Sequence, residues 1–334
     1  MRQGSRAAAS VLPALLCAGC AGAQSAFDTG GAQALGLARL MIFIMAVCAA
    51  VWLAVMAALA FALWRRRQEA TEPLAIDARR QRRMSLVVGG SVAATVVIIG
   101  LFTVTSFWVT RSLWAGDRDA VKIDMRGYQW WWQVTYRDGN QAFTTANEIH
   151  VPVGRLVRIR LTADDVIHSF WVPSLTGKQD LIPGRTNEVS FVAERPGVYR
   201  GQCAEFCGLQ HARMAMQVIA QSPQDYDAWR QSQLAPAAKP SDPEQVFGEQ
   251  VFLSKPCAAC HTVRGTSATA QLGPDLTHVA SRSTIAAGVL ETTRGSLAAW
   301  IADPQTIKPG NNMPMVALSP DELNAISAYM ASLK

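Results

Sequence analysis

Two stretches without a charged side chain, residues 40–64 and 84–110, constrain this chain more than any other feature. They are 25 and 27 residues long. At a helical rise of about 1.5 Å per residue each can cross a hydrocarbon core of about 30 Å, and a pair this long reads as membrane-spanning helices rather than as buried helices of a soluble protein. Residues 65–83 between them carry Arg65, Arg66, Arg67, Arg79, Arg80, Arg82 and Arg83 against Glu69, Glu72 and Asp77. The positive-inside rule places such a loop in the cytoplasm, so everything after residue 110 is expected outside. Trp52, Trp64, Trp108 and Trp114 are candidates for interfacial anchors, although Trp52 lies too near the centre for that job.

The N-terminus fits this topology. Arg2 and Arg6, the apolar run 7–16 and the small residues after it read as an export signal within 1–23. Two processing routes stay open: Ala21-Gly22-Ala23 suits ordinary cleavage, and Ala18-Gly19-Cys20 resembles a lipoprotein box, with Cys17 where leucine is usual. The formal net charge of +6 belongs entirely to the first 110 residues, and the remainder sums to zero. The basic excess therefore sits beside the membrane segments and is no footprint for nucleic acid. With 334 residues and 50% hydrophobic content the chain is too long for one small domain and too apolar for disorder.

From residue 119 the pattern turns to short alternating runs, Val121-Lys-Ile-Asp-Met125, Val157-Arg-Ile-Arg-Leu161 and Glu188-Val-Ser-Phe-Val192. Asp138-Gly139-Asn140 reads as a hairpin turn between two of them. Strands at this spacing over 111–220 predict a β-sandwich or Greek-key barrel, and 221–242, rich in Ala, Pro, Ser and Gln at its centre, reads as a linker. Inside the β region lies Cys203-Ala-Glu205-Phe-Cys207-Gly-Leu-Gln-His211-Ala-Arg-Met214, with His168 upstream. Two thiolates, two imidazoles and a thioether form a soft donor set that favours copper, and a second Cys four residues on allows two sulfurs to bridge two ions. Zinc would accept Cys₂His₂ but gains little from Met214. The plain alternative is a disulfide between Cys203 and Cys207 in an oxidising compartment.

The block His168-Ser-Phe-Trp-Val-Pro-Ser-Leu175, then Ile182-Pro-Gly-Arg185, Arg195-Pro-Gly-Val-Tyr199 and Gly201-Gln-Cys203-Ala-Glu-Phe-Cys207-Gly resembles subunit II of haem–copper cytochrome c oxidase. So do Gly127-Tyr-Gln-Trp-Trp-Trp132 and the helical hairpin (36–110) before it. The resemblance implies a cupredoxin-like fold holding the dinuclear Cu_A centre. Cys203 and Cys207 would bridge both coppers, His168 and His211 would each bind one, and Met214 and the Glu205 carbonyl would be weak axial ligands. It further implies that the Glu205 side chain serves a Mg²⁺ ion at the contact with subunit I, and that Trp130 is an exposed tryptophan through which electrons come in. Packing in an aromatic strand is the alternative for residues 130–132, and is expected for at least one of them. In one respect the chain departs from the family: a glutamate followed by tryptophan is usual where the second membrane helix begins, whereas Arg82-Arg83-Met84 stand here, so no proton-uptake acid is assigned.

Cys257-Ala-Ala-Cys260-His261 is the c-type haem attachment signal, with two thiols for the vinyl groups and a histidine for the iron. A redox disulfide is the alternative. Pro309-Gly-Asn-Asn-Met313-Pro-Met315 offers a sixth ligand twice over; two residues apart in an extended loop, the side chains point opposite ways. Residues 243–334 resemble class I cytochrome c: a helix from Pro243 with Val246, Phe247, Val251 and Phe252 on an apolar face, and a last helix opened by the capping box Ser319-Pro-Asp-Glu322 with the stripe Leu323, Ile326, Met330. The resemblance implies Met313, in its Met-Pro dipeptide, as the iron ligand with Met315 as packing, and Pro274 in Leu272-Gly-Pro-Asp-Leu276 as the carbonyl that accepts the His261 N–H. The alternative for that segment is a plain turn. Residues 241–334 carry a net charge of −2 and 111–240 of +2, mild opposite signs that would favour docking of one module on the other.

The expected architecture is thus a multidomain membrane protein: a two-helix hairpin, a cupredoxin-like sandwich and a small all-α cytochrome c domain. Of seven cysteines, two fall in the export signal, Cys48 in a membrane helix and four in the metal motifs, leaving none for structural disulfides. Saturated soft ligation suits electron transfer rather than substrate activation. The resemblance to a caa3-type oxidase implies haem c to Cu_A transfer onward to subunit I, which reduces dioxygen with proton translocation, in a bacterial inner membrane. Subunit III is a further expected partner, and the donor is a cytochrome c or a quinol–cytochrome c reductase. The nearest rival is the electron-input subunit of a Cu_A-bearing nitric oxide reductase. A membrane-anchored copper-delivery protein would need neither Met214 nor haem, a quinol oxidase subunit would lack these ligands, and a structural module would leave the cysteines as disulfides.

Overall fold

A computed structural model describes residues 22, 24–66, 78–112, 120–138 and 141–334. The export signal, apart from Gly22, lies outside the described residues, as do Cys17, Cys20, Trp114 and most of the arginine loop.

Helices α1 (Ala32–Arg66) and α2 (Ala78–Ser112) form one compact unit over 35–116. Both run several residues past their uncharged cores, because Arg65, Arg79 and Arg80 keep helical backbone beyond the apolar segment. Their Leu, Val and Ile side chains, among them Leu53, Leu86 and Val97, stand exposed, as surfaces meant for lipid should. Phe43 meets Phe102 edge to face with ring centroids 5.7 Å apart. Four hydroxyls of α2 are satisfied within the helix: Ser91, Thr95, Thr103 and Thr105 each donate to the carbonyl four residues back, at 2.8–2.9 Å. A hydroxyl bound in that way adds no unsatisfied donor to an apolar medium.

The second unit contains two hydrophobic cores. The first is a sandwich. Strands β1 (Val121–Tyr128), β2 (Trp131–Asp138), β3 (Gln141–Ala146), β5 (Leu156–Ala163) and β8 (Asn187–Val192) make one sheet in the order β3-β2-β1-β5-β8, in which only β1 and β5 are parallel. Strands β4 (Glu148–Pro152), β10 (Ala215–Gln221) and β9 (Gly197–Gln202) make the other, and the short β6 (His168–Phe170) pairs with β7 (Gln179–Leu181). The alternation read from sequence is the burial pattern: Val121, Ile123 and Met125 face inward while Lys122 and Arg126 face water. β2 and β3 pair antiparallel up to Asp138 and Gln141, and residues 139 and 140 of the expected turn lie outside the described residues.

The stretch 221–242 differs from the linker expected. Residues Pro223–Leu234 form helix α3, capped by Ser222 and carrying Pro at its first position. Tyr226 is buried and Trp229 stacks on His150, ring centroids 4.0 Å apart. A polar, Gln-rich segment reads as a tether, but two aromatics four residues or fewer apart are enough to bind it to a sheet face. Residues 235–242 that remain are also tied down: Ala237 N–H donates to Arg264 O, and Ala235 O accepts from His278.

The second core is helical. α4 (Pro243–Ser254) crosses α7 (Pro320–Ser332), with α5 (Arg294–Ala302) and the single turn α6 (Pro304–Ile307) beside them. The two-residue strands β11 (Thr284–Ile285) and β12 (Leu290–Glu291) pair in the loop ahead of α5. The capping box at Ser319 and Glu322 is formed on both sides. The face of α4 is narrower than expected. Gly248, Val251 and Phe252 are buried while Phe247 is 43% exposed, because α7 crosses at Gly248, where only a missing side chain permits such approach.

Candidate functional site

The loop between β9 and β10 and the start of β6 bring the soft donors together at one end of the sandwich. Cys203 Sγ lies 3.8 Å from Cys207 Sγ, 4.0 Å from His168 Nδ1 and 3.3 Å from the Glu205 carbonyl. Cys207 Sγ lies 3.5 Å from His211 Nδ1 and 3.8 Å from Met214 Sδ. Each sulfur thus has its own imidazole and its own weak donor. Sulfurs 3.8 Å apart are not a disulfide, and every cysteine among the described residues is free. The ligand atoms of His168, Cys203 and Cys207 lie within 4.8 Å of one another, all three buried.

The electrostatics suit a cation. The Cys207 thiol beside it, then His168 and nearby backbone groups, hold Cys203 far below the ordinary thiol range, while Cys203 and burial push Cys207 up. Thiols bind metal as thiolates, so loading the site would release their protons. Burial disfavours charging His168, but hydrogen bonds with Cys203 and Asp165 outweigh it and raise its pKa.

Around these donors stand Asp165, which motif reading missed, and residues of the Gly127–Trp132 motif. His168 Nε2–H donates to Asp165 Oδ1 at 2.9 Å, which leaves Nδ1 to face the sulfurs; the other oxygen of Asp165 accepts from Gln129 N–H at 2.6 Å. Asp165 lies three residues before His168, and in sequence it looks like any loop acid. Gly127 makes room for the imidazole, since a Cβ there would lie 2.8 Å from His168 Cδ2. Gln129 Nε2 and Trp130 Nε1 both donate to Cys207 O, at 2.8 and 2.9 Å.

The three tryptophans divide. Trp132 is fully buried in the core, and Trp131 stacks on Tyr128 at 4.8 Å. Trp130 is the correction: it is 7% exposed, not open to solvent. The loop after α6 covers it. Lys308 Nζ donates to Trp130 O at 2.7 Å, and a Cβ on Gly310 would touch the indole. Copper-side groups reach back, Gln210 Nε2 to Pro309 O and Arg213 to Ile307 O, each at 2.7 Å. Ser283 of the helical module donates to Glu148 of the sandwich. These contacts put charged or polar donors mostly on carbonyls, a more local arrangement than the attraction of net charges suggested by the sequence.

In the helical module Cys257 and Cys260 are half-buried and precede His261, whose Nδ1–H donates to Pro274 O at 2.8 Å. That bond fixes the ring and leaves Nε2 as a lone-pair donor beside the two thiols, the donor chemistry a covalently held haem needs. Met313 is half-buried and Met315 is 60% exposed. Glu205 fits a magnesium site poorly by itself: its carboxylate is 44% exposed and lies 3.8 Å from Lys178 Nζ, so further oxygen ligands would have to come from elsewhere.

A membrane hairpin, a β-sandwich with a buried soft-donor cluster and a helical module with a haem-attachment motif define a membrane-anchored electron-transfer protein for copper and haem. The family model for the periplasmic domain of cytochrome c oxidase subunit II matches residues 139–221, and that for cytochrome c matches 246–334. The cytochrome c oxidase subunit 2 of Alkalihalophilus pseudofirmus is 36% identical over 96% of this chain and 94% of its own length. That of Bacillus sp. strain PS3 is 34% identical over 65% of this chain and 64% of its own length. The solved periplasmic domain of the Bradyrhizobium japonicum subunit II is 32% identical over 36% of this chain and 99% of that one, with a TM-score of 0.34. The chain belongs to the cytochrome c oxidase subunit II family and carries a cytochrome c domain at its C-terminal end.

Proposed function

We propose that this chain is the electron-input subunit of a caa3-type haem–copper oxidase, carrying one covalent haem c and a dinuclear Cu_A centre. The observation that carries the reading is the pairing at one end of the sandwich: each of two free, buried sulfurs has its own imidazole and its own weak donor. Cys203, Cys207, His168 and His211 would hold the copper pair, with Met214 and the Glu205 carbonyl as its weak donors. Cys257 and Cys260 would anchor the haem, and His261 with Met313, the better sheltered methionine, would hold its iron. Trp130 is hydrogen-bonded to Cys207 O and lies under the Lys308–Gly310 loop of the haem module. Copper and haem, when bound, would supply one-electron chemistry, and the soft donors this chain offers suit electron transfer rather than substrate activation.

The partner is oxidase subunit I, which holds the dioxygen-reducing site and couples it to proton translocation; subunit III completes the assembly, and the donor is a cytochrome c or a quinol–cytochrome c reductase. The chain spans the bacterial inner membrane twice, with the metal domains on the periplasmic side, residues 1–23 as export signal and the haem module from 243 onward. Any Mg²⁺ at Glu205 draws most of its ligands from subunit I. The test is an optical and EPR spectrum of the purified, copper-loaded full-length protein. A hyperfine pattern from one unpaired electron shared by two coppers, beside a low-spin c-type haem, is the expected result. A single type 1 copper, or a metal-free disulfide, overturns it.

A further inference from the structure

The loop that follows α6 is knitted from its iron-ligand candidate to the copper site by a run of hydrogen bonds. Met313 N–H donates to Asn311 Oδ1 at 2.8 Å, and Asn311 Nδ2 donates to Lys308 O at 2.7 Å. Lys308 Nζ donates to Trp130 O at 2.7 Å, and Trp130 Nε1 donates to Cys207 O at 2.9 Å. Gln305 braces the loop from behind, its Nε2 on the Asn311 and Met313 carbonyls. From the other side Gln210 and Arg213, which flank His211, grip the Pro309 and Ile307 carbonyls.

Lys308 is the unusual member. It is 2% exposed, sits in no ion pair among those found in the described residues, and spends its amine on two carbonyls, Trp130 O and Ala286 O. Leaving water without a carboxylate costs a lysine heavily unless its hydrogens are all placed. Burial pushes its pKa down to about 7, and the two carbonyls accept both hydrogens of the neutral amine or two of the ammonium's three. The acceptors come one from each module, so the amine is satisfied here only while the modules stay together. That is the signature of a latch.

We propose that residues 308–313 are the electron bridge between the haem and copper sites, and that Lys308 is the positioning residue that seats this bridge on Trp130. The inference rests on the functional reading above. One electron leaves the ferrous haem, which becomes ferric, and the copper pair is reduced by one electron; no bond is made or broken and no proton moves. The bridge keeps the Met313 loop against the indole, where Gly310 (φ +82°) is the contact residue: a Cβ there would lie 3.2 Å from Leu209 Cδ1 and 3.7 Å from the Trp130 ring.

The experiment is flash reduction of the haem in the whole oxidase, following haem reoxidation against copper reduction, in wild type, K308M, G310A and S283A. Ser283 lies at another point of the contact and outside the bridge. K308M and G310A are expected to slow the transfer about ten-fold or more, with haem and copper spectra and potentials unchanged, while S283A stays within about two-fold of wild type. Deuterium exchange across residues 129–132 and 308–311 is expected to rise about ten-fold in K308M. A wild-type transfer rate in K308M or G310A overturns the proposal, and so does S283A slowing transfer as much as they do. If K308M does not assemble, G310A decides alone. If wild type shows no copper-pair signal, the functional reading fails instead, and the exchange measurement still decides whether Lys308 holds the modules together.

Discussion

Removal of the Asp165 carboxylate is the sharpest perturbation of the copper site that leaves every proposed ligand in place. Its Oδ1 accepts from His168 Nε2–H at 2.9 Å and from Val166 N–H at 2.7 Å, and its Oδ2 accepts from Gln129 N–H at 2.6 Å. His168 is fully buried while Asp165 keeps 29% exposure, so in Asp165→Ala water can reach the Gln129 end but not the imidazole. A buried donor left without a partner costs about 1–3 kcal/mol, and a lost bond to a charged group about as much; the fold should lose about 2–4 kcal/mol. The imidazole, no longer held with Nδ1 toward the sulfurs, should bind metal about 10–100-fold more weakly, the usual cost of deleting a group that orients a ligand histidine. Asp165→Asn keeps one acceptor for His168 and should recover most of the affinity. Competition against a copper chelator on the full-length protein measures this directly. If Asp165→Ala holds copper as tightly as wild type, the orienting role assigned to this carboxylate is wrong.

Two further outcomes follow from packing and charge. In Gly248→Ala the new Cβ would lie 2.1 Å from Ala325 O, a backbone atom that cannot step aside, so α4 and α7 must part; overpacking of this kind costs about 1–3 kcal/mol, and the haem module should melt at least about 5 °C lower, followed by haem absorbance in the full chain. Glu148 is buried, which opposes ionisation, but hydrogen bonds from His150 and from the Ser283 hydroxyl and N–H outweigh that and lower its pKa. Its contribution is therefore complete above the ordinary carboxylate value of 4.5 and is lost as pH falls through the lower folded value. Glu148→Gln should flatten that acid-side loss, read as denaturant midpoints between about pH 6 and about pH 3; an unchanged slope would refute it.

The convergence of the soft donors was legible because such residues are rarely grouped without a purpose. Thiols four apart with His and Met at set offsets, or two apart with an adjacent His, have few other uses in an exported chain, and long uncharged runs have few places to go but lipid. Alternation in β1, β5 and β8 was legible for a similar reason: a strand with one face in the core and one in water repeats every second residue. Those signals are local, written in residues close together along the chain.

The interface is not local, and it was not legible. Asp165, Gln129, Lys308 and Asn311 are ordinary polar residues whose importance depends on which carbonyl or imidazole ends up beside them. Lys308 and Trp130 are 178 residues apart, and no periodicity couples them. Helix α3 hid in a Gln-rich segment for the same reason: its polar turns say loop, while two aromatics and the sheet face they meet decide otherwise. Trp130 shows the limit most plainly. Motif resemblance assigned it a role and also an exposure, yet exposure belongs to whatever folds over a side chain, and here that is another module of the same polypeptide. Short-range covalent spacing thus marked out the soft donors, whereas burial and hydrogen-bond partnership, which depend on segments meeting in space, decided how those atoms are aimed and joined.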